Sequence, residues 1–157
     1  MSESLQLVEN SNGAAETRQY ATFYIADLFF GIETIRVQEI LRYQEMTHIP
    51  LAAKAIEGLI NLRGQIVTAI DVRRSLALES MAGDRTPMNI VIHADDGTVS
   101  LLVDEIGDVL DIALDSYAPV PENMPAQHRQ FIDGVFRLSD RLMLSLNVEQ
   151  LLQAAAN

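Results

Sequence analysis

The sequence contains no cysteine and no tryptophan, and aromatic residues make up only 6% of it. The absence of cysteine excludes disulfides, thiol catalysis and cysteine-ligated metals. No apolar run approaches the length of a membrane span, and the first residues are acidic, which argues against a secretory signal or a transmembrane anchor. We therefore expect a cytoplasmic protein without direct membrane insertion, in which 157 residues suffice for one domain with a shared core.

Basic residues are scarce, above all in the second half of the chain. The net charge is −11, with 8 bases and 11 acids in residues 1–94 but 3 bases and 11 acids in residues 95–157. Between residues 95 and 115 there are seven acids and no base. Such a run repels phosphate backbones and anionic lipid, so no nucleic-acid partner is expected. The run is either a solvated face or a docking surface for a basic partner.

Motifs for catalysis are also missing. The three histidines lie far apart and none has a second histidine at metal-ligand spacing. There is no glycine-rich phosphate loop, nucleophile elbow or dinucleotide fingerprint. Asp104, Glu105 and Asp108 lack the spacing of a calcium loop and are interpreted as surface charges. The sequence predicts no metal, no cofactor and no catalytic residue, although an enzyme site assembled from scattered acids of residues 95–115 stays an alternative.

What the sequence does contain is an internal repeat. Residues 58–76 (GLINLRGQIVTAIDVRRSL, the first copy) match residues 134–152 (GVFRLSDRLMLSLNVEQLL, the second copy) without a gap, 76 positions later. Each copy is typical of a strand, a turn, a strand and a short helix. The turns are expected at Arg63-Gly64 and Ser139-Asp140. Asp71 and Asn147 are expected to cap the helices.

The rest of the chain predicts further hairpins. Residues 1–18 are interpreted as a flexible leader, followed by strands at 19–25 and 28–33 with a bulge at Gly31. Residues 34–41 have apolar residues at helical spacing and predict a short amphipathic helix. Strands at 88–93 and 98–103 flank an Asp-Gly turn. Many short strands with regular turns favour two small barrels over a parallel sheet.

Several motifs in this chain resemble those of the CheW family of bacterial chemotaxis coupling proteins. The matching segments are Gly31-Ile-Glu33, Val37-Gln-Glu-Ile40, Ile49-Pro50, Gly58-Leu-Ile-Asn-Leu-Arg-Gly64, Ile70-Asp71-Val-Arg73 and Leu102-Val-Asp104. The resemblance spans residues 19–152, and the turn residue Arg63 is its most telling part, because the turn itself requires only Gly64. It implies a mainly β fold of two intertwined, five-stranded barrels of Src-homology-3 type, with short connecting helices and a C-terminal helix, in one domain over residues 19–157.

The resemblance also implies a function. It indicates a non-catalytic adaptor that joins the cytoplasmic tip of chemoreceptors to the regulatory domain of the histidine kinase CheA, recruited to membrane-bound arrays and able to self-associate in rings. The expected receptor-binding residues are Val37, Glu39, Asn61, Arg63 and Val109, with Gly58 and Gly64 as structural turn residues. Val37 and Val109 are alternatively core residues, and Glu39 and Arg63 ordinary surface charges.

Alternatives to this function remain within the same family. The chain is alternatively a coupling protein of a related system such as pilus-driven twitching motility. It is alternatively a detached module of a larger signalling protein, such as the coupling domain of CheV or the regulatory domain of CheA.

Overall fold

Two β-sheets make up most of the fold. A computed structural model describes residues 16–156 except Ala82, Asp84 and Asp96. The predicted leader lies outside the described residues up to residue 15, whereas Thr17 and Arg18 already belong to the first strand. The strands are β1 (Thr17–Ile25), β2 (Leu28–Glu33), β3 (Val37–Leu41), β4 (Ile56–Leu62), β5 (Gln65–Asp71), β6 (Met88–Ala94), β7 (Gly97–Val103), β8 (Glu105–Ala113), β9 (Tyr117–Ala118), β10 (Ile132–Arg137) and β11 (Leu142–Leu146).

Helices are short in the described part of the chain. They are α1 (Val72–Ser75), α2 (Ala126–Arg129) and α3 (Val148–Ala155), with single 3₁₀ turns at Thr34–Arg36 and Leu114–Ser116. Asp71 accepts a hydrogen bond from the Arg74 amide at 3.4 Å, and Asn147 accepts one from the Gln150 amide at 3.1 Å. Both predicted helix caps are therefore confirmed, and they orient α1 and α3 in the same way relative to the preceding strand.

The two sheets exchange strands. Their orders are β8-β1-β2-β11-β10-β9 and β3-β6-β7-β5-β4. In each sheet, one hairpin (β1–β2 or β6–β7) joins a repeat hairpin (β10–β11 or β4–β5) through a single parallel contact. Strand β3 follows β2 in the chain but pairs with β6, and β8 follows β7 but pairs with β1. Each sheet therefore includes an edge strand that follows, in the chain, a hairpin of the other sheet. This is the intertwining that the sequence analysis expected.

Each sheet curls around its own apolar cluster. Ile60, Val67 and Val91 belong to the cluster of the second sheet, against which Leu41 of the edge strand β3 also packs. Thr47, beyond β3, pairs with Leu59 on the opposite edge strand β4, and thereby brings the two edges together. In the first sheet, β9 pairs in the same way with β10. The mainly β, two-barrel prediction is confirmed.

A third and larger cluster lies between the sheets. It includes Phe23 and Phe30 of the first sheet, Ile90 and Leu101 of the second, and Leu151 of α3, all fully buried. Phe23 and Phe30 stack with ring centroids 5.6 Å apart. Because residues of both sheets share this core, its burial stabilises the two barrels against separation.

The repeat is confirmed down to its irregularities. In both copies the register shifts by one residue at the same place, between Ile56 and Gly58 and between Ile132 and Gly134. The second tip is closed at the equivalent positions, since Leu138 donates its amide to the Arg141 carbonyl at 2.8 Å, as the sequence predicted for a turn at Ser139-Asp140. The tips differ in backbone conformation. Residues Ser139 and Asp140 have no positive φ angle.

Two local predictions are wrong. Residues 34–41 form a 3₁₀ turn followed by strand β3, not a helix, because Val37–Leu41 finds hydrogen-bond partners along β6. The exposure of β3 alternates with the period of a strand. Gly31 does not mark a bulge, since the pairing of β1 with β2 is regular there. A Cβ at Gly31 would lie 2.5 Å from the Met143 sulfur, so close approach is its requirement.

Candidate functional site

The tip of the β4–β5 hairpin carries two of the predicted contact residues. Arg63 and Gly64 have φ angles of +52° and +88°, as a two-residue hairpin turn of the primed type requires. The Asn61 side-chain oxygen accepts a hydrogen bond from the Gly64 amide at 2.9 Å. This bond fixes the tip and holds the Arg63 side chain out into solvent, where it is 71% exposed.

Arg63 reaches across the barrel to Glu39. The Arg63 guanidinium donates to the Glu39 carboxylate, although β3 and β4 are the opposite edges of the second sheet. The Glu39 side chain is only 21% exposed. Surface ion pairs contribute at most about 1 kcal/mol to stability. The Glu39–Arg63 pair therefore adds little to the stability of the fold, and its main effect is to orient the two charged side chains.

One exposed isoleucine lies next to the tip. Ile66 pairs across the hairpin with Asn61 and is 60% exposed. Ile40, the neighbour of Glu39 in β3, is 39% exposed but points to the other face of the strand. We call Glu39, Asn61, Arg63 and Ile66 the tip surface. Apolar side chains around an arginine are typical of the centre of a protein–protein contact. Sequence reasoning assigned Ile66 to the repeat pattern only; its pairing with the polar Asn61 was the signal that it faces outward.

The two predicted valines lie in different surroundings. Val37 begins β3, is half-buried and packs against the core between the sheets. Val109 lies on β8 in the other sheet, pairs with Ala21 and is 52% exposed. Glu39, Asn61 and Arg63 therefore lie together, whereas Val109 is exposed at a separate place on the other barrel.

Gly58 lies within β4 and not at the predicted turn. A Cβ at this position would be 2.6 Å from the carbonyl oxygen of Thr47, in the segment that closes the barrel. The pairing of Thr47 with Leu59 holds that carbonyl in place. A close backbone approach, and not a turn conformation, is therefore what excludes a side chain at Gly58.

Asp104 has a structural role that the sequence analysis did not predict. Instead of a surface charge, it is a buried carboxylate with a relative exposure of 7%, held by Arg73 of α1 in two hydrogen bonds of 2.8 and 2.7 Å. It also accepts the Ala26 amide of the β1–β2 turn at 2.6 Å. Burial alone would raise the pKa of Asp104, but the hydrogen bonds from Arg73 and Ala26 outweigh it and lower the pKa.

The described part of the chain contains neither a metal site nor a membrane-spanning helix. Within residues 16–156, apart from the three not described, no group of three or more histidine, cysteine or acidic residues could hold a metal ion. In the same part of the chain, no helix has the length and hydropathy needed to cross a membrane.

Together, the exchanged barrels and the exposed tip surface define a double-barrel module that binds other proteins. Comparisons with known proteins then give the family. The sequence profile of the CheW-like domain matches residues 19–156. The chain belongs to the CheW-like family of chemotaxis coupling adaptors, as the sequence motifs predicted.

Relatives of known name agree with this assignment. The chain is 29% identical over 150 residues to the chemotaxis protein CheW of Klebsiella aerogenes, which covers 96% of this chain and 90% of the relative. It is 26% identical over 140 residues to CheW of Treponema pallidum, covering 87% and 82%. The fold matches that of the scaffolding protein CheW from Thermoanaerobacter tengcongensis with a TM-score of 0.75 and 24% identity, over 83% of this chain and 89% of the other.

Proposed function

We propose that this adaptor is non-catalytic and acts by binding two proteins at once, the cytoplasmic tip of a chemoreceptor and the regulatory domain of the histidine kinase CheA. It would thereby hold both in membrane-bound arrays and transmit the receptor state to the kinase. The observation that carries the proposal is the tip surface, where the Glu39–Arg63 ion pair and the exposed Ile66 lie at the end of the β4–β5 hairpin.

The tip surface is assigned to the receptor. A receptor tip made of a helical hairpin offers apolar side chains at helical spacing together with carboxylates. Ile66 would contact the apolar positions, and the exposed guanidinium of Arg63 retains donors beyond its bond to Glu39. Val37 would support β3 from the core side, and Asn61 would position the tip through Gly64.

The other barrel is assigned to the kinase side. Its exposed positions mirror those of the second sheet, because Val109 corresponds to Ile40 through the pairing of β8 with β1, and Leu142 corresponds to Ile66 through the repeat. A CheA regulatory domain of the same fold would present similar strands. Contacts between similar surfaces can close into rings, so self-association of this chain is part of the proposal.

A second system fits the same surface. A coupling protein for pilus-driven twitching motility would use an equivalent double barrel with a different receptor. Receptor fragments from both systems therefore belong in the test.

Receptor-dependent kinase activity tests the proposal. Purified CheA and templated receptor fragments are mixed with and without this chain, and CheA autophosphorylation is measured. A rise that needs all three components is expected. Arg63→Ala should reduce it about tenfold, as the loss of one charge-assisted contact at an interface centre predicts. Arg85→Ala is the matched control, because Arg85 is also an exposed arginine in one surface ion pair, with Glu105 at 3.3 Å.

Charge reversal separates recognition from folding. Glu39→Arg combined with Arg63→Glu restores the internal pair but inverts the charge that faces a partner. Full activation by this double variant would contradict a recognition role for Arg63. No activation by the unaltered, folded chain with either receptor set would contradict the adaptor proposal itself.

A further inference from the structure

The internal repeat provides a built-in comparison for one surface pocket. In the first copy, Glu57 projects next to α1 and forms an ion pair with the Arg74 guanidinium. Arg74 also lies 3.5 Å from the helix cap Asp71. The carboxylate at this place is therefore neutralised by an arginine from within the chain.

The second copy keeps the carboxylate and loses the arginine. Asp133 stands 76 positions after Glu57, in the same register shift of the strand, whereas Gln150 stands 76 positions after Arg74. The caps of α1 and α3 share one geometry, so Gln150 and Arg74 occupy equivalent places on their helices. Glu149 takes the place of Arg73. Among the described residues, Asp133 has no ion pair.

A cavity of about 470 Å³ lies beside Asp133. We call it the Asp133 pocket. Its lining includes the rings of Tyr20, Tyr117 and Phe136, and a second carboxylate, Glu33. Phe136 contacts both tyrosine rings, with centroid distances of 5.6 and 5.5 Å. Aromatic faces next to carboxylates are the combination that favours a guanidinium or an ammonium group.

The cations at the pocket are paired with carboxylates other than Asp133. Arg18 lines the pocket and lies 3.6 Å from Glu33. Arg36 is engaged by Glu149, at 2.5 Å. Partial burial raises the pKa of Asp133, and the negative charges of Glu149 and Glu33 add to the effect against a hydrogen bond from Ser145. A cation bound next to Asp133 would therefore stabilise its ionised carboxylate.

We propose that the Asp133 pocket receives an arginine or lysine side chain of a partner protein, which takes the place that Arg74 fills in the first copy. Asp133 accepts its hydrogen bonds, and Tyr117 and Phe136 pack against its charged group. A protein side chain is the assigned source because the equivalent place in the first copy is filled by one. The assignment does not rest on the identity of the receptor or the kinase.

A titration of isotope-labelled protein with short peptides tests this site by NMR. The probe is an acetylated, amidated Gly-Arg-Gly peptide, and the same peptide with citrulline is the neutral control of equal shape. Arginine peptide should shift the amide signals around Tyr117 and Asp133, while the citrulline peptide should bind at least about tenfold more weakly. Equal shifts from both peptides, or none from the arginine peptide, would overturn the proposal.

Substitutions at position 150 provide a sharper test. Gln150→Arg restores the arginine of the first copy, and it should fill the pocket from within and abolish the peptide shifts. Gln150→Met, of similar length but neutral, should leave them in place. Asp133→Asn should weaken binding about tenfold with the fold intact. Peptide binding that persists in both Gln150→Arg and Asp133→Asn would refute the site, and tighter binding of free spermidine than of the arginine peptide would refute a protein side chain as its ligand.

Discussion

Asp104 joins the two barrels, and its removal gives the most direct test of how they are held together. The carboxylate bridges Arg73 on α1 of one barrel and the Ala26 amide at the β1–β2 turn of the other. The side chains of Arg73 and Asp104 are only 16% and 6% exposed. Asp104→Asn removes the charge but keeps the size of the side chain.

The expected cost of this substitution is large for a single polar change. Removing one partner of a buried ion pair costs about 3–5 kcal/mol, because the other charge is left buried without compensation. Asparagine retains one acceptor oxygen for the Ala26 amide, so a loss of about 3 kcal/mol in the free energy of unfolding is expected. For a chain of this size, that loss lowers the Tm by about 6–12 °C.

The effect should also depend on pH in a defined direction. Because the pKa of Asp104 is lower in the folded state, the stabilisation by its carboxylate is complete above about pH 5 and is lost as the pH falls through the folded-state pKa. The asparagine variant does not titrate. The difference in unfolding free energy between the two proteins should therefore shrink from pH 7 toward pH 3.

Urea denaturation at pH 7 and at pH 3, followed by circular dichroism, measures both quantities. Asp111→Asn is the matched control, because Asp111 is an exposed acid on β8, and it should change the stability by no more than about 0.5 kcal/mol. If Asp104→Asn costs no more than this control, or costs the same at both pH values, the role assigned to the buried pair is wrong.

Backbone positions supply three further predictions. Gly58→Ala should destabilise the protein by about 1–3 kcal/mol, because the added Cβ meets the Thr47 carbonyl. Gly134→Ala adds a Cβ that meets the Tyr117 ring, so the further substitution Tyr117→Ala should restore the lost stability. Thermal melts of the three single variants and of the double variant Gly134→Ala, Tyr117→Ala measure this, and a double variant no more stable than Gly134→Ala would contradict it. Leu51 has a φ of +67° and is fully exposed, so Leu51→Gly should raise the free energy of unfolding by about 1 kcal/mol, and an unchanged or lower value would contradict the strain.

Much of the fold could be predicted because its signals are local. Turn residues, branched runs and cap residues lie close together in the sequence, and the repeat showed each of them twice. The capping by Asp71 and Asn147 is a case in which a side chain and its partner are three residues apart. Such contacts depend little on the rest of the chain.

Other features could not be predicted because they depend on distant partners. Val37–Leu41 has apolar residues that suit a short helix, and only its pairing with β6, some fifty residues later, makes it a strand. Asp104 lies in a run of acids typical of a solvated surface, and its burial depends on Ala26 and Arg73. Within the candidate site, Arg63 and Asn61 stood out locally, whereas the contact with Glu39 required the closed barrel.

The strand exchange bears on how an adaptor of this kind can transmit a signal. Strand β3 carries Glu39 of the tip surface, pairs with β6 and is continuous with β2 of the other barrel, while β8 carries Val109 and is continuous with β7. A displacement at either exposed surface therefore acts on strands anchored in both barrels. The shared core and the Asp104 joint resist rotation of one barrel against the other. In the proposed adaptor role, this construction favours transmission by rigid movement of the whole domain, since bending at a hinge would have to break buried contacts.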